Sequence, residues 1–130
     1  MKVRSARAED LPELERLRRA MPYPGSLFLD QAAYLERALE RLRDALPRLQ
    51  DLPDVRVLLL TDDGLAVGYF FLVVDDEHGV THQLQAVLLD FAVFSFEGLA
   101  KLVARARKIV SAFENEYLVV DLPAQDQRTQ

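Results

Sequence analysis

The feature that most restricts the fold of this 130-residue chain is a helix pattern set between its last two strand patterns. Residues 80–94 read as a strand. Leu99, Leu102, Val103, Ala106, Ile109, Val110 and Phe113 then fall at helical spacing, and residues 117–122 read as a strand again. A helix joining consecutive strands returns the chain to the end of the sheet it left, so it predicts a parallel pair. The strands before it are joined by short turns, which predict antiparallel neighbours. Thr61-Asp62-Asp63-Gly64 is a hairpin turn between strands 55–60 and 65–74, because Asp-Gly tolerates the positive φ such turns demand. Asp75-Asp76-Glu77-His78-Gly79 turns the chain once more.

The first half is built differently. Lys2 to Ala6 is short and extended, with Val3 as its apolar point. Glu9, Asp10 and Pro12 open a helix, since carboxylates suit the positive end of the helix dipole and proline is tolerated in a first turn. Leu11, Leu14, Leu17 and Met21 share one face of it, and Pro22-Tyr23-Pro24-Gly25 ends it. A second helix follows, with Asp30 as N-cap and a seam of Phe28, Ala32, Leu35, Leu39, Leu42, Leu46 and Leu49. Pro47 kinks or ends the regular helix. The seam suits a helix lying on a sheet or, alternatively, a homodimer interface. The expected fold is α+β with a mixed sheet, in the order β-α-α-β-β-β-α-β. Residues 1–122 form one domain, and 123–130 are a polar tail.

Half of the residues are hydrophobic, enough for a real core. The net charge of -5 is spread along most of the chain, so no basic face is laid out for nucleic acid. With no cysteine, disulfides, thiolate catalysis and thiolate metal sites are excluded. The N-terminus lacks the apolar region of a signal peptide, and no apolar run approaches a membrane span; the expected location is the cytoplasm, away from membranes.

The order of elements, with the opening Val3-Arg4-Ser5-Ala6-Arg7-Ala8-Glu9-Asp10-Leu11, resembles the GNAT (N-acetyltransferase) superfamily as far as its fifth strand. In that family an extended Arg-x-Ala segment runs into a helix through an acidic residue and a leucine. The family's acetyl-CoA loop, Gln/Arg-x-x-Gly-x-Gly/Ala, corresponds here to Ser95-Phe96-Glu97-Gly98-Leu99-Ala100. Gly98 and Ala100 match, Leu99 fits the aliphatic position, and Ser95 replaces the Gln or Arg. The resemblance implies acetyl-CoA as cofactor, held by Ser95, Gly98, Leu99 and Ala100 at a helix N-terminus. It also implies pairing of the pantetheine amides with the backbone of Phe91, Ala92 and Val93, where the fourth and fifth strands splay apart. Glu97 places a negative charge beside a site meant for anions. A tight, closely packed strand-to-helix turn would explain the same glycine and alanine, and the run from Phe91 to Phe96 would then be core.

The resemblance further implies direct attack of an amine on the thioester, assisted by a base on or near the fourth strand. Asp90 is the carboxylate within that strand and the candidate catalytic residue; its alternative is a solvent-facing or bulge position. His78 and His82 are further candidates, Tyr117 suits packing at a rim, and Lys101, Arg105 and Lys108 form a basic stripe suited to nucleotide phosphates or to solvent. His78, His82, Asp75, Asp76 and Glu77 match no ligand motif, so no metal is expected. Family members continue into another helix, often bearing the tyrosine proposed as general acid, and a closing hairpin. This chain ends in Asp126-Gln127-Arg128-Thr129-Gln130, as expected of a trimmed domain or a fragment. The function implied is an N-acyltransferase or acyl-CoA-binding domain acting on a small-molecule or protein amine. The alternative is a catalytically inactive interaction module of the same fold, dimerising through the 28–49 helix.

Overall fold

Strand by strand, alternation decides which residues face which layer. The structure is a computed structural model that describes residues 1–21, 31–77, 84–112 and 117–120. Its elements are β1 (Lys2–Ser5), α1 (Leu11–Ala20), α2 (Gln31–Ala45), β2 (Val55–Asp62), β3 (Leu65–Glu77), β4 (Leu84–Val93), α3 (Phe96–Ala112) and β5 (Tyr117–Val120), the order expected. The five strands form one sheet in chain order, antiparallel from β1 to β4, and β4 pairs with β5 in parallel. Val57, Leu59, Tyr69, Phe71 and Ala92 pack with Leu14, Leu17, Leu42 and Ala45 of α1 and α2. Leu58, Leu60, Phe70, Leu72, Leu88 and Val93 pack with Leu102 and Ala106 of α3 on the other face. With both faces covered, β2 buries four consecutive residues, Val57 to Leu60.

Local chemistry sets the boundaries. Asp63 and Gly64 both have positive φ, 51° and 82°, as a two-residue turn whose twist matches its flanking strands requires. At the start of α1, Arg4 grips Asp10 with two hydrogen bonds of 2.8 and 2.9 Å, while Asp10 Oδ2 accepts the Arg7 N–H at 2.7 Å. The 3-10 turn Ala8–Asp10 leads from there into α1. Regular α2 ends at Ala45, and a 3-10 segment, Leu46–Asp51, holds Pro47 at its start, where the missing N–H is harmless.

The seam of α2 lies within the chain's own core: Leu39, Leu42 and Leu46 are buried, so the sheet-lying alternative is the one realised. Ala32, assigned to the same seam, is exposed instead. Another correction concerns residues 75–77, expected in a turn: β3 runs on through Glu77, paired with Leu84. The fourth strand stops at Val93, leaving Phe94 in the connection. The stop at 22–25, Phe28 and Asp30 of the second helix, the turn residues His78 and Gly79, His82, Phe113 and the tail lie outside the described residues.

Candidate functional site

The register of β4 slips beside β3: Phe71 pairs with Asp90 but Leu72 with Leu88, so Leu89 is an extra residue. Such a bulge re-aims the side chains that follow it. Leu88 faces α3, and strict alternation would turn Asp90 the same way. The bulge sends Asp90 to the α1 side, into contact with Arg18. It is buried there, which overturns the solvent-facing alternative and bears out the association with a bulge.

Three groups meet at that point. Arg18 Nη1 donates to Asp90 Oδ1 at 2.5 Å, and the two side chains are 1% and 2% exposed. Tyr69, also buried, donates its hydroxyl to Asp90 Oδ2 at 2.5 Å. The N–H of Phe91 donates to Asp90 Oδ1 at 2.9 Å. Arg18 reaches further, to the carbonyl of Phe91 at 2.9 Å and to that of Met21 just beyond α1. A carboxylate surrounded by three donors is an anchor: it fixes the arginine that ties the end of α1 to the edge of β4. Nothing in its spacing betrayed Arg18, which sits next to the apolar face of α1 and was missed. Its signal is a cation within a buried helix face, legible only once the bulge is known.

Pairing of β4 with β5 covers Gln85 to Leu88 against Tyr117 to Val120 and, among the described residues, stops where the bulge begins. Beyond it β4 continues to Val93. A cleft of about 290 Å³ opens at this end of the strand, lined by Met21, Phe91, Val93, Phe94, Ser95, Phe96 and Leu99. Four of these, Phe91, Val93, Ser95 and Leu99, are residues that the sequence resemblance assigned to a cofactor or its strand. Phe94 and Phe96, which the alternative reading of the run would have put in a core, are 53% and 91% exposed at its rim.

At the mouth of the cleft α3 begins. Ser95 caps it: Gly98 donates its N–H to Ser95 Oγ at 3.0 Å, and Leu99 donates to the Ser95 carbonyl at 3.0 Å. Helix geometry leaves the N–H groups of Phe96 and Glu97 without an intrahelical acceptor, at the positive end of the dipole. Gly98 points the other way. A Cβ there would lie 2.7 Å from Leu60 Cδ2 and 3.2 Å from Val93 Cγ2, so the glycine lets α3 close onto the sheet. Ala100 is exposed, and Ala92 is buried in the α1–α2 core.

These groups fit the two halves of acetyl-CoA unequally. The apolar cleft suits the acyl and pantetheine end. At the pyrophosphate end two helix N–H groups remain, while Ser95 holds the third and Glu97 adds a negative charge. Lys101, Arg105 and Lys108 are exposed, but they line a separate groove with Met1 and Val3. The side chains of Tyr117 and of 75–77 are outside the described residues. No helix among the described residues is long and apolar enough to cross a membrane.

No protein-family model and no curated protein sequence matches the chain. Solved structures do. A GCN5-related N-acetyltransferase from Ralstonia eutropha is 20% identical with a TM-score of 0.68, over 98% of this chain and 87% of that one. The ribosomal-protein-alanine N-acetyltransferase of Brucella melitensis biovar Abortus is 18% identical, with a TM-score of 0.61 over 99% and 87%. An aminoglycoside N-acetyltransferase solved with CoA is 17% identical, with a TM-score of 0.67 over 99% and 81%. What is shared at such identities is the fold. This chain has the fold of the GNAT acetyltransferases.

Proposed function

We propose that the chain is a GNAT-type acyltransferase domain that seats an acyl-CoA in the cleft at the end of β4 and passes the acyl group to an amine. The observation that carries this reading is the parallel pairing of β4 with β5, with β4 running on to Val93 beside an apolar cleft. One of the similar structures was solved with CoA, which adds support. When bound, acyl-CoA supplies an activated thioester carbonyl.

The chain's own residues do the rest. Met21, Phe91, Val93 and Leu99 give the acyl end an apolar lining. The N–H groups of Phe96 and Glu97 face the anionic part, as helix N-termini do. Asp90 acts as a positioning residue: with Arg18 it holds the Phe91 carbonyl and the end of α1, which together shape the cleft. The amine acceptor therefore reaches the thioester as its neutral form, and its own basicity governs how much is ready to react.

Thermal unfolding with acetyl-CoA tests the reading, because a ligand that binds only the native state must raise Tm. A rise that saturates with acetyl-CoA is expected. An unchanged Tm at millimolar acetyl-CoA would contradict it.

A further inference from the structure

At the β1 edge of the sheet, β1 and α3 enclose a groove of about 210 Å³ lined by Met1, Val3, Lys101, Ala104, Arg105 and Lys108. Its charged residues are all cations, on a chain whose net charge is -5. Lys101, Arg105 and Lys108 recur at helical spacing on one face of α3, where like charges destabilise a helix. Elsewhere several arginines are ion-paired: Arg4 with Asp10, Arg16 with Glu13, Arg43 with Glu15, Arg48 with Asp44. Among the described residues, no ion pair joins Lys101, Arg105 or Lys108 to a carboxylate.

A second observation concerns the backbone. Among the described residues β1 pairs only with β2 and is the edge of the sheet. Ala6 donates its N–H to the Val57 carbonyl at 2.8 Å, toward β2. Antiparallel ladders alternate, so the N–H and C=O of Val3 point away from the sheet, beside the cation row.

We propose that this groove docks an extended acidic segment of a protein partner, which adds a strand to β1 and sets its carboxylates against Lys101, Arg105 and Lys108. The spacings agree: Lys101 and Arg105 are about 6 Å apart along the helix axis. Alternate residues of an extended strand, which point to one side, are about 6.7 Å apart. Main-chain pairing supplies affinity and the cations select for acidic side chains, as in other strand-addition complexes. The groove is distinct from the acyl-donor cleft, because β1 and β4 are three strands apart, about 14 Å.

Fluorescence anisotropy with a labelled octapeptide of alternating Glu and Val tests the assignment, with the Lys-Val octapeptide as its counterpart. The acidic peptide should bind, more weakly as salt rises, and the lysine peptide should not. The triple variant K101E/R105E/K108E should lose at least about tenfold in affinity, while R107E, an exposed cation off the groove, should change it by less than about twofold. N-methylating alternate amides of the peptide should abolish binding. Binding that survives N-methylation, ignores the triple variant or favours neither peptide overturns the proposal. So does displacement by pyrophosphate at matched ionic strength, which would make the row a phosphate site, or by acetyl-CoA, which would merge it with the donor cleft. Failure of the peptide to bind while acetyl-CoA still raises Tm would remove this proposal alone.

Discussion

A single methyl group separates the two roles open to Gly98. If the glycine exists so that a ligand's phosphates can approach, alanine there leaves the fold intact. If it exists so that α3 can close on β2 and β4, alanine pushes against Leu60, 2.7 Å away in a filled core. Alanine gains about 1 kcal/mol of helix propensity over glycine, and overpacking costs about 1–3 kcal/mol. Gly98→Ala is therefore expected to lower stability by about 1 kcal/mol in denaturant titrations, and Leu60→Val in the same chain to recover most of it. Neutral behaviour of the single variant would show that the packing role is wrong. At Arg18 the stakes are larger. Arg18→Met leaves Asp90 buried without its cation, a loss of about 3–5 kcal/mol for pairs of this kind. Restoring neutrality with Asp90→Asn in the double variant should return part of it, and simple additivity of the two substitutions would contradict the coupling. Neither residue's partner was legible in the sequence. The pairing depends on one extra residue in β4: Asp90, in an otherwise apolar run, raises the idea of a bulge, but nothing local names Arg18, 72 residues away, as its partner.

Elements were far more legible than side-chain partners, because each follows from a local period or a local breaker. The α3 pattern, the Asp-Gly turn and the proline at the end of α2 each rest on neighbours in sequence, and each appears where expected. What misled was polarity: Asp75, Asp76 and Glu77 look like a turn, yet β3 and β4 continue through them as a long ribbon. The opening motif has a physical cause at this scale. Arg4 and Asp10 lock β1 to the entrance of α1, and the hydrogen bond from Arg4, helped by the Arg7 N–H, holds the Asp10 carboxyl below its ordinary 3.8. A lowered carboxyl pKa stabilises the fold above the ordinary value and loses that contribution as pH falls through the lowered one. Acid titration of Tm should therefore fall less steeply below pH 3.8 in Asp10→Asn than in the parent chain, starting from a lower Tm at neutral pH. Parallel acid limbs would mean that this lock contributes nothing.

For the whole molecule, the covering of both sheet faces and the crossover through α3 follow from the order of elements. Those features carried the expectation of a parallel final pair, and β4 and β5 meet it. The site was legible in part. Phe91, Val93, Ser95 and Leu99 line one cleft, but Gly98 faces the sheet and Asp90 is drawn into an ion pair, because both roles depend on packing between distant segments. The cleft is also more apolar at its rim than the pattern suggested, since Phe94 and Phe96 lie outside the core. Backbone amide shifts in 15N-labelled protein on adding acetyl-CoA locate the donor seat directly. Perturbations concentrated at Met21, at residues 91–99 and at the first turn of α3, with Lys101 to Lys108 unmoved, are the predicted result. Shifts confined to the β1–α3 groove, or none at saturating acetyl-CoA, would contradict it.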